Sequence, residues 1–288
     1  MSKILVTGAH GQLGNELKVL SNDEPHLWSW VDLPELDITN AEAVQEKLEE
    51  GGYDFVINCA AYTAVDKAES EPALARAVNR EGVTNLATAA ARTGACVIHI
   101  STDFVFDGKA DQPIPVDAPT NPLSVYGETK QEGEQTLINS GADYYIVRTS
   151  WLYSSFGGNF VKTMLRLAGE RDRLNVVKDQ VGSPTYARDL AQALMLLVKK
   201  HHEGALPAKK IYHYSNDGVA SWYEFAKAIF EMANKEMTVT PIPTSDYPTP
   251  ATRPAYSVMD TSAIQKDLGL TIPAWRDSLK ACLSLLVE

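Results

Sequence analysis

The chain of 288 residues reads as an α/β protein: a doubly wound parallel sheet followed by a smaller C-terminal α/β lobe. Three observations predict this. Short apolar runs alternate with helical stretches as far as Ser150. A glycine-rich turn joins the first run to the first helix. Beyond Ser150 the alternation loosens. Strands alternating with helices imply βαβ units, and hence a parallel sheet covered on both faces.

The elements follow in order. Lys3–Thr7 (KILVT) reads as a buried strand and Gln12–Leu20 as an amphipathic helix. Leu27–Val31 is a second strand, and Ala41–Glu49 a helix capped by Thr39 or Asn40. Phe55–Asn58 is a third strand, Pro72–Thr93 one long Ala-rich helix, and Cys96–Ser101 a fourth strand. Asn121-Pro122 reads as an N-cap with proline at the first helical position, opening a helix through about Asn139. Tyr145–Thr149 is a fifth strand. Later helices are expected at Phe160–Glu170, Ala187–His201, Trp222–Asn234 and Arg276–Val287. Weak strands are expected near Asn175–Val177, Tyr212–Ser215 and Thr238–Pro241. Prolines crowd between Pro241 and Pro254, marking a structured loop. The division expected is 1–150 with about 185–203 as the Rossmann-like dinucleotide-binding part, and 151–184 with 204–288 as the substrate lobe.

Composition excludes several classes. Twenty-six Lys+Arg against 37 Asp+Glu leave a net charge of −11. That argues against nonspecific nucleic-acid or acidic-membrane binding, which needs a basic face. An anionic substrate would have to be met by locally placed arginines and lysines. Cys59, Cys96 and Cys282 are odd in number and set in apolar stretches, which fits reduced thiols and a cytoplasmic setting. The apolar run at Ile4–Val6 is too short for a signal-peptide core, and that near Ala193–Val198 too short to span a membrane.

The cofactor signal lies at the first turn. Gly8, Gly11 and Gly14 form G-x-x-G-x-x-G between a strand and a helix. Glycine allows a tight turn and lets the backbone approach a pyrophosphate, whose charge meets helix N-terminal N–H groups. Asp32 ends the second strand, where a carboxylate can bond an adenosine ribose hydroxyl or simply cap a turn. Leu33–Leu36 carries no Arg or Lys to receive a 2′-phosphate, which leans the reading towards NADH over NADPH. Asp37, Ile38 and the strand-three end Asn58-Cys59-Ala60-Ala61-Tyr62 would line the adenine and pyrophosphate side.

The catalytic signal is Tyr126-Gly127-Glu128-Thr129-Lys130. Spacing of i, i+4 puts Tyr126 and Lys130 on one helix face. A free phenol, of pKa ~10, is a poor acid-base catalyst at neutral pH. A neighbouring ammonium favours its phenolate and brings it towards the working range. Tyr-x-x-x-Lys alone is a common accident. Ser101-Thr102-Asp103, ending the fourth strand, adds a hydroxyl able to hold the oxygen that Tyr126 protonates.

With these residues in place the chain resembles the extended short-chain dehydrogenase/reductases, enzymes that act on nucleotide sugars. The likeness is carried by Thr7–Gly14, Asn58–Ala61, Thr102 and Tyr126–Lys130, and by stretches across nearly the whole chain: Val65–Pro72, Arg148–Tyr153, Asn159–Met164, Asp179–Thr185 and Tyr247–Pro254. Within that family they look most like the branch that reduces the 4-keto group of a dTDP-linked 6-deoxyhexulose. The resemblance implies NADH or NADPH at Gly8, Gly11, Gln12, Leu13, Gly14, Asp32, Asp37, Ile38, Ala60, Ala61, Tyr62, Tyr126 and Lys130. It implies Thr102, Tyr126 and Lys130 as the catalytic set, and Thr102, Asp103 and Trp151 as substrate contacts. Arg253, on the proline-rich loop, suits a nucleotide diphosphate or a surface ion pair. Some relatives form homodimers joined by Mg2+. Glu16 matches one ligand position, but Arg188 stands where another acid would be expected, so no metal site is read. In the resembling 4,6-dehydratases the strand-four hydroxyl precedes an Asp-Glu pair; here Phe104 follows Asp103. An epimerase and a non-catalytic cofactor-binding subunit remain the alternatives.

Overall fold

The computed structural model describes residues 1–286. Its first half runs β1 (Lys3–Thr7), α1 (Gln12–Leu20), β2 (Leu27–Val31), α2 (Ala41–Gly51), β3 (Phe55–Asn58), α3 (Val65–Ala68), α4 (Pro72–Arg76), α5 (Val83–Thr93), β4 (Cys96–Thr102), α6 (Val125–Ile138) and β5 (Tyr144–Thr149). There follow β6 (Leu152–Tyr153), α7 (Phe160–Ala168), β7 (Arg173–Val177), β8 (Val181–Gly182), β9 (Thr185–Tyr186), α8 (Ala187–His202), β10 (Lys210–Tyr214), β11 (Ala220–Ser221), α9 (Trp222–Met232), β12 (Thr238–Ile242), α10 (Ser262–Leu268) and α11 (Trp275–Leu283).

Six strands form one sheet in the order β10-β5-β4-β3-β1-β2, every neighbouring pair parallel. The protein is therefore an α/β, doubly wound, Rossmann-like fold. Its strands are apolar almost throughout because helices cover both faces. On one face Ile4 and Val6 pack with Leu13 and Leu17 of α1, Leu190–Val198 of α8 and Ile264 of α10. On the other, Leu5 and Val56 pack with Val44 of α2 and Leu86 and Ala90 of α5. Successive strands progress in opposite directions from β1, to β2 on one side and to β3 on the other. That switch opens a crevice at the carboxyl ends of the strands, where ligands of such sheets bind. A second core joins α7, α9 and α11 around Phe225, Ile229 and Leu279, flanked by the parallel pair β7–β12.

Four expectations are corrected. Pro72–Thr93 is not one α-helix: a π-helical segment, Ala77–Gly82, separates α4 from α5. Such segments widen a helix locally, and here Asn79 is turned inwards to bond Tyr62 and Thr129. Asn121 does not cap α6; the Asn121 N–H is taken by the Val105 carbonyl, and the Ser124 hydroxyl caps the helix at Gly127 N–H. Lys210–Tyr214, placed by the sequence in the substrate lobe, is the sixth strand of the main sheet, drawn in by its backbone register with β5. The last helix is Trp275–Leu283, and α10 is additional; Val287, in the expected last helix, lies outside the described residues. Among the described residues no helix is long and apolar enough to cross a membrane.

Candidate active site

A cavity of about 560 Å³ opens at the carboxyl ends of β1, β3, β4 and β5. Of the residues singled out in the sequence, Gly8, Gly11, Gln12, Leu13, Cys59, Ala61, Ser101, Thr102, Asp103, Tyr126, Lys130 and Trp151 line it. Side chains from opposite ends of the first half of the chain thus meet in one space.

The β1–α1 turn forms one wall. Gly8 has φ +66°, and a Cβ there would lie 2.5 Å from the Ala60 backbone nitrogen. Gly14 lies behind the turn, where a Cβ would meet the Gly8 carbonyl at 2.5 Å. Among the described residues no side chain caps α1 at Gly11, so the first N–H groups of the helix are left for an anionic ligand. A glycine cradle, an uncapped helix start and a cavity running from both to Tyr126 fit a dinucleotide.

Other cofactor candidates stand further back. Asp32 is tied to the turn itself: its carboxylate accepts the His10 N–H at 2.8 Å and the Leu33 N–H at 2.9 Å. Asp37 accepts the Thr39 N–H and hydroxyl, and Ile38 is buried against Gly82 in the core. Ala60 gives its N–H to Asn58 Oδ1. The Tyr62 hydroxyl donates to Glu71 at 2.6 Å, which pushes the phenol up to about 12.

The opposite wall carries the reactive groups. Ser124 starts α6 so that Tyr126 falls in its first turn and Lys130 one turn later. Tyr126 is 9% exposed, with Phe104 edge-on at 5.4 Å. Burial pushes its phenol up to about 12; the Thr102 hydroxyl pulls down and the Asp103 carboxylate pushes up. The expected lowering by Lys130 is therefore not the dominant effect. The Lys130 Nζ instead donates to the Ile100 carbonyl at 2.6 Å, and burial pulls that amine down to about 8. The Thr102 hydroxyl accepts the Phe104 N–H at 3.2 Å and donates to Asp103 Oδ1 at 3.1 Å. Burial raises Asp103 to about 6.

Sequence reasoning missed part of the lining. Gly157, Gly158 and Asn159 close over the cofactor side, with Asn159 Nδ2 donating to Gln12 Oε1 at 3.0 Å. Thr149, and Ser101 beside Thr102, also line the cavity with buried hydroxyls that find no hydrogen-bond partner among the described residues. The glycines of Gly157-Gly158 beside a capping Asn159 were the available signal. Trp151, at φ +47°, stacks on Trp222 with ring centroids 3.6 Å apart. Gly182 makes room for it, since a Cβ there would come within 2.8 Å of the Trp151 ring.

Arg253 lies elsewhere, beside a second cavity of about 490 Å³ that Phe160, Trp222 and Tyr247 also line. Its guanidinium grips both oxygens of Asp66 at 3.0 and 2.8 Å. The Glu16 carboxylate is wholly buried and already taken by Arg188 Nε at 2.8 Å and the Ser154 hydroxyl at 2.6 Å. A guanidinium on that carboxylate does not fit a cation there. Among the described residues no three metal-ligating acids, histidines or cysteines come together.

The family model of the RmlD substrate binding domain matches residues 2–287. The chain belongs to this family. It is 41% identical to the dTDP-4-dehydrorhamnose reductase of Sinorhizobium fredii (strain NBRC 101917 / NGR234), covering 99% of this chain and 98% of that one. It is also 41% identical to that of Escherichia coli (strain K12), covering 98% and 97%. Among solved structures, the dTDP-4-dehydrorhamnose reductase of Bacillus anthracis str. Ames, in complex with NADP, superposes with a TM-score of 0.92 at 40% identity, covering 98% of this chain and 99% of that chain.

Proposed function

We propose that this member of the family reduces the C4 keto group of dTDP-4-dehydro-L-rhamnose (dTDP-6-deoxy-L-lyxo-4-hexulose) to give dTDP-L-rhamnose, with NADH or NADPH. The observation that carries this reading is the single cavity joining the glycine turn to Thr102, Tyr126 and Lys130. NAD(P)H supplies the hydride. The Gly8–Gly14 turn and the start of α1 would hold its pyrophosphate, with Gln12 and Leu13 beside it and Lys130 available to its ribose. Of the residues expected on its adenosine side, Ala61 lines the cavity and Asp32 stands at the glycine turn, whereas Asp37, Ala60 and Tyr62 are bonded further back and Ile38 is buried in the core.

The protein's own part is to hold the ketone and move one proton. A phenol raised to about 12 is protonated at neutral pH, the state a proton donor to the new C4 alkoxide needs. Thr102 shares that oxygen, and Asp103 and Trp151 hold the sugar. Reduction needs one acid and no base near C6. Phe104 brings an aromatic edge where a dehydratase would use a second carboxyl group, which disfavours elimination. Arg253, in the neighbouring cavity beyond the stacked Trp151 and Trp222, would have to exchange its pairing with Asp66 to meet the nucleotide diphosphate. The two-part division of the chain, amended by β10, belongs to this reading. So do cytoplasmic placement and a homodimer, though not one joined by a metal at Glu16.

The test follows NADH and NADPH absorbance with dTDP-6-deoxy-L-lyxo-4-hexulose and with dTDP-glucose. One cofactor oxidised per dTDP-L-rhamnose formed, with no reaction on dTDP-glucose, is expected. Sugar turnover without cofactor consumption, or cofactor binding with no turnover, would overturn the reading.

A further inference from the structure

Behind the cavity a chain of buried polar groups crosses three strands and ends on Lys130. The Thr7 hydroxyl on β1 donates to Asn58 Oδ1 on β3 at 2.7 Å, and the Ala60 backbone N–H donates to the same oxygen at 3.2 Å. Asn58 Nδ2 faces His99 Nδ1 on β4 at 3.0 Å, and His99 Nε2 faces Lys130 Nζ at 3.4 Å. Thr7, Asn58, His99 and Lys130 are each 2% exposed or less.

Counting donors gives this chain a direction. A backbone N–H can only donate, so the Asn58 atom facing Ala60 is the oxygen and the amide nitrogen faces His99. An amide nitrogen also only donates, so His99 Nδ1 must offer a lone pair. Burial keeps the ring neutral, which leaves its one proton on Nε2, pointing at Lys130. An ammonium has three donors and no acceptor, whereas a neutral amine has a lone pair to receive that N–H.

We propose that Asn58 and His99 are positioning residues that set the tautomer facing Lys130 and so bias its side chain towards the neutral amine in the ligand-free site. The proposal rests on reading Lys130 as part of the reducing site. The other groups around it do not reverse the bias. Cys59, after β3, is held protonated by burial, its thiol pushed up to about 12. Glu134, one turn along α6, favours the ammonium, but its carboxylate is gripped by Arg148 of β5 at 2.7 and 2.9 Å. Asp103, on the turn after β4, acts on Tyr126, itself a neutral phenol on the same helix. Burial of Lys130 works in the same direction as the His99 N–H, bringing its loss of charge to about pH 8.

Imidazole 15N NMR of the ligand-free protein reads the tautomer directly. The expected result is His99 protonated on Nε2 and bare on Nδ1; an Nδ1–H ring or an imidazolium overturns the proposal. Asn58→Asp supplies the second arm, since a carboxylate accepts from Thr7 and Ala60 but cannot donate to His99. The ring should then move its proton to Nδ1, freeing Nε2 to accept from Lys130. The Lys130 titration, followed by its 13Cε shift, should rise by about one pH unit or more. A tautomer switch with no movement of Lys130 overturns the proposal; so does a rise with no switch, which would be the new carboxylate acting on Lys130 through space alone. If Asn58→Asp does not fold, the wild-type spectrum still decides. Both measurements are made without sugar or cofactor, so failure of the reductase assay would leave them standing.

Discussion

Replacing Asp103 by Asn should change how stability depends on pH, and the size follows from the site. Asp103 is 2% exposed, and among the described residues its Oδ2 has no hydrogen-bond partner. Burial is the largest influence on it, raising its pKa from 3.8 to about 6 in the fold. At ~1.4 kcal/mol per pH unit, that is a cost of about 3 kcal/mol once the group is ionised. The sign is fixed by the direction of the rise. Below the unfolded value the carboxyl is protonated in both states, and the fold bears no charge penalty. As pH climbs through the folded value that stability is lost, and above it the full penalty remains. Asparagine never ionises. It instead buries an amide beside the Ser257 hydroxyl, a pH-independent change of up to ~1–3 kcal/mol. The stability of Asp103→Asn relative to wild type should therefore improve by about 3 kcal/mol between about pH 4 and about pH 7. At ~2 °C per kcal/mol for a chain of this size, the melting difference should move by about 6 °C. Thermal unfolding of both proteins, ligand-free, at a series of pH values measures it. A difference that stays constant across the range would show that Asp103 is not held in its charged state at this cost. Activity should fall at the same time, because the variant trades a functional charge for stability.

Tyr126→Phe should lower turnover by ~10²–10⁴-fold while leaving the melting temperature nearly unchanged, since the ring keeps its contact with Phe104; wild-type turnover would remove Tyr126 from the mechanism. Gly8→Ala combines a left-handed φ of +66° with a 2.5 Å clash on Ala60. It should cost ~1–2 kcal/mol for the backbone and ~1–3 kcal/mol for overpacking, with weakened dinucleotide binding seen by calorimetry. Arg148→Met strands the buried Glu134 carboxylate, 0% exposed, and should cost ~3–5 kcal/mol in denaturant titration, much of it recovered by adding Glu134→Leu. Asp32→Ala removes the carboxylate at the end of β2 beside the glycine turn and should raise kcat/KM for NADPH relative to NADH; an unchanged ratio would show that its bonds to His10 and Leu33 are its whole role.

The amino-acid sequence by itself determined the strands of the main sheet up to β5, because a strand covered on both faces carries an apolar run such as Ile4–Val6 or Phe55–Ile57. It also determined the glycine turn and the Tyr126–Lys130 pair, since both depend on spacing within a few residues of backbone. Tertiary structure decided the rest. Lys210–Tyr214 looks like any weak strand until its register with β5 makes it the sheet edge. Arg253 meets Asp66 across 187 positions, and Arg188 meets Glu16 across 172, so whether each guanidinium is free for a ligand or already paired is written in no local pattern. The same holds for charge. Tyr126 was expected to be drawn down by its neighbour on the helix, but the fold buries the phenol and turns Lys130 towards Ile100 and His99. Periodicity reports which face a residue is on; the solvent removed from around it, and the partner left facing it, exist only once distant segments have closed together.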